Sequence, residues 1–249
     1  YRRHGLSQAL PSPEASPYRK SLQPPVAHKR PYKQTHHGNT TVDNYFWLRA
    51  ENWQEAMREP EKLPDPIKQY LQAENAYFDH AMQDLQPLKQ QLVAEMRGRI
   101  KEDDSSLPSI DGPYAYLTRY RTGGEDPIIA RKPASEIYNT EAEDEILLDG
   151  DAMGEGKPYF AFNNVEHSPN HKLIAYAVDE QGSEYYTIRF KNLETGEILP
   201  DTIENTYGSF EWGKNSDRIF WVSRNNEGRP EAVYKYDLGS GESVQNSGT

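Results

Sequence analysis

The stretches Ser168–Tyr176 (SPNHKLIAY) and Gly213–Trp221 (GKNSDRIFW) have the pattern of two copies of one repeat. A second pair, Leu193–Glu197 (LETGE) and Leu238–Glu242 (LGSGE), is separated by the same 45 positions. A looser copy is visible earlier in the chain, in Asp111–Tyr116 (DGPYAY). A period in the forties with about four strands per unit is typical of β-propeller blades. The sequence therefore predicts two well-marked blades and a third, weaker one.

The region around these repeats, from about residue 107, alternates apolar and polar residues in short runs between turn clusters such as Gly123-Gly124. This pattern indicates a train of β-hairpins. We therefore predict a mainly β fold with an incomplete β-propeller of about two to three four-stranded blades over residues 106–249. Because propellers typically have at least four blades, we expect the ring to be unfinished at Thr249.

A helical segment is predicted over residues 34–105, before the blades. Asp65 is the expected N-cap, with Pro66 at the first helical position. Apolar residues then recur at helical spacing, and Pro87 is expected to break the run before a second helix over 88–100. The apolar stripe consists of Ile67, Tyr70, Leu71, Tyr77, Phe78, Ala81, Met82 and Leu85, followed by Leu88, Leu92, Met96 and Ile100. Such a stripe is expected to pack against a larger body.

Charge and composition divide the chain unevenly. Residues 1–33 contain six prolines and carry a net charge of +6, which predicts a flexible, basic, Pro-rich arm, whereas the other 216 residues carry −17. The acidic body disfavours a nucleic-acid partner, and no stretch approaches the length of a membrane span. With no cysteine in the chain, disulfides and thiolate metal sites are excluded. We expect a cytoplasmic protein.

The chain offers few candidates for chemistry. The pairs His36-His37 and His167/His171 are the close histidines, but the latter flank a Ser-Pro turn and are not expected to share a face, so no metal site is predicted. The acidic group between Glu141 and Asp151 is interpreted as a solvated loop, because it lacks an EF-hand pattern. No Gly-x-Ser-x-Gly is present, and Gly239–Ser243 has its glycines wrongly placed. We predict no catalytic, metal or cofactor-binding residues, and no cofactor.

Several motifs together resemble the prolyl oligopeptidase family of serine peptidases, in particular its oligopeptidase B branch. The resemblance spans roughly residues 24–242, and its most specific block runs from Ser168 to Gly196. The motifs that carry it are Pro24–Ala27, His37-Gly38, Asp43, Tyr45, Trp47–Arg49, Asp111–Tyr116, Arg119-Tyr120, Glu145–Asp149, Ser168–Tyr176, Asp179–Arg189, Leu193–Gly196, Gly228–Pro230 and Val233–Leu238.

This resemblance implies a two-domain peptidase in which a seven-bladed propeller caps an α/β-hydrolase domain and admits short peptides to a Ser-Asp-His triad. The triad would lie beyond Thr249, so no residue of this chain is expected to carry a catalytic role. The helical segment would pack on that hydrolase domain, and cleavage after Arg or Lys would be expected. The alternative is a non-catalytic β-propeller that binds partners or acts as a scaffold. We expect no nucleic-acid or membrane partner.

Overall fold

The computed structural model describes residues 23–139 and 141–245. The chain divides into two compact units, one up to Gly98 and one from Arg99 onward. None of the helices among the described residues is long and apolar enough to cross a lipid bilayer. Residues 1–22, which make up most of the predicted arm, lie outside the described residues.

The first unit opens with a β-hairpin that the sequence did not predict. Strand β1 (Tyr32–His36) pairs antiparallel with β2 (Asn39–Asp43). His37 and Gly38 form the turn with φ of 50° and 80°, as a two-residue hairpin of the I′ kind requires. The end of the predicted arm contacts the residues that follow the hairpin: the Arg30 amide donates to the Asn44 carbonyl at 2.8 Å.

Three α-helices follow the hairpin: α1 (Trp53–Arg58), α2 (Asp65–Met82) and α3 (Gln86–Arg97). The predicted N-cap was wrong by one residue, because Pro64 precedes α2 and Asp65 begins it without a side-chain cap. The predicted break at Pro87 was also wrong. A short 3₁₀ turn over Gln83–Leu85 joins α2 to α3, and Pro87 lies in the first turn of α3. A proline is tolerated there because the first-turn amides have no intrahelical acceptor.

Among its described residues the second unit contains eleven strands in two sheets and one short α-helix, α4 (Gly150–Gly154), which follows β6. Each strand pairs antiparallel with its sequence neighbours in the same sheet. The strands are β3 (Ser109–Asp111), β4 (Tyr114–Arg119), β5 (Ile128–Pro133), β6 (Glu145–Asp149), β7 (Ala161–His167), β8 (Leu173–Asp179), β9 (Tyr186–Asn192), β10 (Ile198–Trp212), β11 (Arg218–Arg224), β12 (Pro230–Asp237) and β13 (Ser243–Gln245).

These strands form three blades of four strands, and two of the blades share one long strand. Strands β3 to β6 form a separate four-stranded sheet, blade 1. The first part of β10 pairs with β9, and its last part pairs with β11, with irregular register around Thr206. Blade 2 therefore comprises β7, β8, β9 and the start of β10, whereas blade 3 comprises the end of β10 with β11, β12 and β13. The predicted open, mainly β fold is confirmed.

The 45-residue repeat corresponds to equivalent backbone hydrogen bonds in blades 2 and 3. The amide of Ser168 donates to the Leu173 carbonyl, and that of Gly213 donates to the Arg218 carbonyl, each at 2.9 Å. Likewise β8 and β11 begin 45 positions apart, at Leu173 and Arg218. Two buried clusters hold the sheets together. One joins blades 2 and 3 around Phe190, and the other joins blade 1 to β8 around Leu147 and Tyr176.

Candidate functional site

Two histidines that were not expected to share a face meet each other and Asp111 at the junction of blades 1 and 2. The rings of His167 and His171 lie 5.2 Å apart and nearly parallel. The carboxylate Oδ2 of Asp111 lies 2.9 Å from Nε2 of His167. The expectation that His167 and His171 do not share a face was therefore wrong. It assumed that the Ser-Pro turn between them places their side chains on different sides.

A tight turn brings the two histidines together. Ser168 is fully buried, and its Oγ accepts from the Leu173 amide at 2.9 Å and donates to Oδ1 of Asn170 at 2.7 Å. These bonds close the turn between β7 and β8. His171 then adopts a left-handed φ of 60°, and its ring lies beside that of His167 at the end of β7. Because few non-glycine residues adopt this conformation, the sequence alone did not reveal it.

Blade 1 supplies an aromatic support for the same histidines. The Tyr116 ring stacks on His167 with centroids 3.7 Å apart and an interplanar angle of 8°. The Tyr116 hydroxyl lies 2.8 Å from Nδ1 of His171. The guanidinium of Arg131 lies 4.0 Å from the centroid of the Tyr114 ring and donates to the His171 carbonyl at 2.7 Å. The site therefore depends on both blades.

The electrostatics of this cluster favour a neutral imidazole beside an anionic carboxylate. Burial, and then the charges of His167 and Arg131, lower the pKa of His171 despite the opposing effect of Asp111. The hydrogen bond to His167 lowers the pKa of Asp111. A neutral ring nitrogen and an ionised carboxylate are both electron-pair donors, so the cluster has the chemical character of a cation-binding site.

The other histidine pair and the short Gly-Ser-Gly motif have structural positions. His36 ends β1, and His37 forms the hairpin turn described above. Gly239–Ser243 belongs to the turn between β12 and β13, where the Ser240 hydroxyl donates to the Glu242 carbonyl at 3.1 Å. A nucleophile elbow requires a strand-to-helix turn, so this serine is not placed as a nucleophile.

The acidic group between Glu141 and Asp151 is only partly the solvated loop that was predicted. Asp144 lies against Arg119 at 2.5 Å and Lys132 at 3.1 Å, and its side chain is only 7% exposed. Asp151 accepts from the amides of Glu125 and Asp126 at 2.9 and 3.0 Å, which lowers its pKa. These carboxylates therefore fix loops of blade 1. The sequence concealed this role because their partners lie more than ten positions away.

An open cavity of about 680 Å³ lies beside Asp151 in the same region. Its charged lining has an acidic balance of four carboxylates to two cations, namely Glu125, Asp126, Asp151 and Glu155 with Arg121 and Lys157. Burial, followed by the neighbouring carboxylates, raises the pKa of Asp126. The cavity therefore presents a negative potential, which favours cationic groups over anionic ones.

The apolar stripe of α2 and α3 in the first unit remains largely uncovered. Ile67 is the buried residue of α2, and α3 has none. In contrast, Phe78, Leu92 and Met96 are 57%, 47% and 56% exposed. An exposed apolar surface of this kind usually marks an interaction surface.

The fold agrees with the comparisons to known proteins. Residues 24–246 match the family described as "Prolyl oligopeptidase, N-terminal beta-propeller domain". The chain therefore belongs to this family, as the sequence motifs predicted.

Particular relatives narrow the comparison to the oligopeptidase B branch. The chain is 36% identical over 230 residues to dipeptidyl aminopeptidase BI of Pseudoxanthomonas mexicana. This alignment covers 88% of the chain and 31% of that relative. It is 31% identical over 219 residues to Protease 2 of Moraxella lacunata, covering 87% of the chain and 30% of the relative. Oligopeptidase B from Leishmania major superposes with a TM-score of 0.81 at 28% identity, covering 90% of this chain and 32% of that one. The chain thus spans about a third of the length of these relatives.

Proposed function

We propose that the chain is the helical segment and the first blades of a serine oligopeptidase that hydrolyses short peptides. The match to the peptidase family over residues 24–246 carries this proposal. In the proposed enzyme a further α/β-hydrolase domain supplies the Ser-Asp-His triad, and the propeller controls which peptides reach it. A cytoplasmic location belongs to the same proposal, and the cysteine-free composition suits a reducing compartment.

Cleavage after Arg or Lys is the proposed specificity. The net charge of −11 and the acidic lining of the cavity beside Asp151 support it, since both favour cationic peptides. A second candidate is the release of dipeptides from free N-termini, which is favoured by the name of the relative that is 36% identical. The two activities differ in whether the substrate needs a free α-amino group.

The proposal predicts that residues 1–249 alone hydrolyse no peptide, because no nucleophile elbow occurs in their sequence. The full-length gene product and residues 1–249 would be assayed on fluorogenic peptides that end in Arg, Lys or Pro, each with a blocked and a free N-terminus. Activity of the full-length protein on blocked Arg and Lys peptides is expected, and a serine-directed inhibitor should abolish it. Turnover by residues 1–249 would contradict the prediction. A full-length protein inactive on every peptide would favour the non-catalytic scaffold.

The stripe on α2 and α3 is proposed to dock on the hydrolase domain. Leu92→Asp should therefore destabilise the full-length protein, because burying a leucine side chain contributes about 1.5–3 kcal/mol. The same substitution in residues 1–249 should change stability by less than about 0.5 kcal/mol, since Leu92 is 47% exposed there. Gln90→Asp, two positions away on the same exposed helix, is the matched control. Thermal unfolding would measure both, and equal effects of Leu92→Asp in the two lengths would argue against docking.

A further inference from the structure

We propose that Asp111, His167 and His171 bind a divalent transition-metal ion, for which Zn²⁺ is the best-suited candidate. One ligand atom from each residue lies within 4.8 Å of the other two. Two imidazoles and one carboxylate form a donor set that suits zinc, with a fourth position left for water. The site joins the end of β3 in blade 1 to the turn between β7 and β8 in blade 2.

One of the three ligand separations is already close to the one that a metal needs. In a tetrahedral zinc site with bonds of about 2.0–2.1 Å, neighbouring ligand atoms lie about 3.3 Å apart. Nε2 of His167 and Oδ2 of Asp111 are already 2.9 Å apart. The ion would take the place of the hydrogen that these two atoms share. To complete the set the His171 ring would move towards this pair, because the three ligand atoms lie within 4.8 Å of one another and not yet within about 3.3 Å.

The surroundings orient the ligands as supporting groups do in metal sites. A hydrogen bond between Nδ1 of His171 and the Tyr116 hydroxyl leaves Nε2 of His171 available as an electron-pair donor. A Cβ atom at Gly112 would lie 2.7 Å from this Nε2, so only glycine leaves the space beside it open. Stacking on Tyr116 fixes the His167 ring. Each histidine ring is therefore held on one side by a neighbouring group of blade 1.

The charge balance permits a cation despite the neighbouring Arg131. The guanidinium of Arg131 is paired with Glu145 through two hydrogen bonds of 2.6 and 3.0 Å. Its positive charge is therefore neutralised locally, while Asp111 supplies a negative charge to the site. Asp111 is also the accessible member, with a side chain 63% exposed, so an ion can enter from solvent.

A bound ion would link blade 1 to blade 2 and stabilise their junction. Because the ligands come from separate sheets, the ion would bind the assembled junction more tightly than the separated blades. Any ligand that prefers the folded state stabilises it by mass action. The midpoint temperature of thermal unfolding should therefore rise with zinc concentration and fall back to its metal-free value when a chelator is added.

The test uses the full-length gene product, stripped of metal and titrated with Zn²⁺ by calorimetry and with Co²⁺ by visible absorption. We expect one equivalent to bind, and His167→Ala, His171→Ala and Asp111→Asn each to weaken binding by about tenfold or more. Tyr116→Phe should weaken it by a smaller factor. The matched control is the double substitution His36→Ala and His37→Ala, which removes the other close histidine pair and should leave the affinity unchanged.

Two results would overturn the proposal. The first is that wild-type protein binds neither zinc nor cobalt at millimolar concentration, a measurement that needs no variant. The second is that Asp111→Asn and His167→Ala bind as wild type does, which would place the ion elsewhere. Asp111→Asn is expected to leave the folded structure intact, because the Asp111 side chain is exposed at the end of an edge strand. Circular dichroism would verify that the histidine variants are folded.

Discussion

Replacing Phe190 with alanine is expected to lower the free energy of unfolding by about 3–5 kcal/mol, the usual range for a fully buried phenylalanine. The side chain of Phe190 is 0% exposed in the cluster that joins blades 2 and 3. Its ring lies 5.9 Å from Trp212 on β10 and 6.4 Å from Tyr236 on β12. The vacancy would therefore remove contacts between blade 2 and blade 3, and the rigid sheets on either side limit its collapse.

Urea unfolding followed by tryptophan fluorescence would measure the Phe190 effect, because Trp212 and Trp221 pack in or around the same cluster. Tyr138→Ala is the matched control. It also removes an aromatic ring, but Tyr138 is 93% exposed, so a change below about 0.5 kcal/mol is expected. Phe190→Leu should give an intermediate loss, since most of the volume is kept. Equal unfolding midpoints for Phe190→Ala and wild type would show that this cluster does not hold the blades together.

The fold was predictable from the sequence wherever a pattern repeats within it. The offset of 45 positions between Leu173 and Arg218 marks equivalent strands. The offset is detectable because blades 2 and 3 enter these strands through turns of similar sequence. The hairpin at His37-Gly38 was missed because its strands are short and polar. Pro87 was misread because a proline signal does not distinguish the end of a helix from the first turn of the next one.

The candidate metal site was less predictable than the fold, and the reason is conformational. Asp111 and His171 are 60 positions apart, and their meeting depends on how blade 1 packs against blade 2. The turn between His167 and His171 also needs a left-handed backbone at His171, which only a small share of non-glycine residues adopt. One signal was available: Asp111–Tyr116 and Ser168–Tyr176 are corresponding copies of the repeat. Equivalent segments of adjacent blades are natural candidates for residues that lie near one another.

Replacing Arg131 with alanine is expected to destabilise the junction of blades 1 and 2 by about 3 kcal/mol. The Arg131 side chain is only 6% exposed, and it forms a forked pair with Glu145. It also donates to the His171 carbonyl and packs on Tyr114. The value lies at the low end of the range for breaking a buried ion pair, because Glu145 is 46% exposed and regains water.

Two substitutions separate the geometry of Arg131 from its charge. Arg131→Lys keeps the charge but not the planar fork, so we expect roughly half the loss seen with Arg131→Ala. Arg121→Ala removes an arginine of the same unit whose side chain is 46% exposed and paired with Asp149 at 2.6 Å. Surface pairs contribute only about 0–1 kcal/mol, so this control should change little. If urea unfolding showed similar losses of unfolding free energy for Arg121→Ala and Arg131→Ala, the prediction would be contradicted. Burial of Arg131 would then not make its ion pair more stabilising than the exposed one of Arg121. A lysine variant as stable as wild type would show that charge alone suffices at this junction.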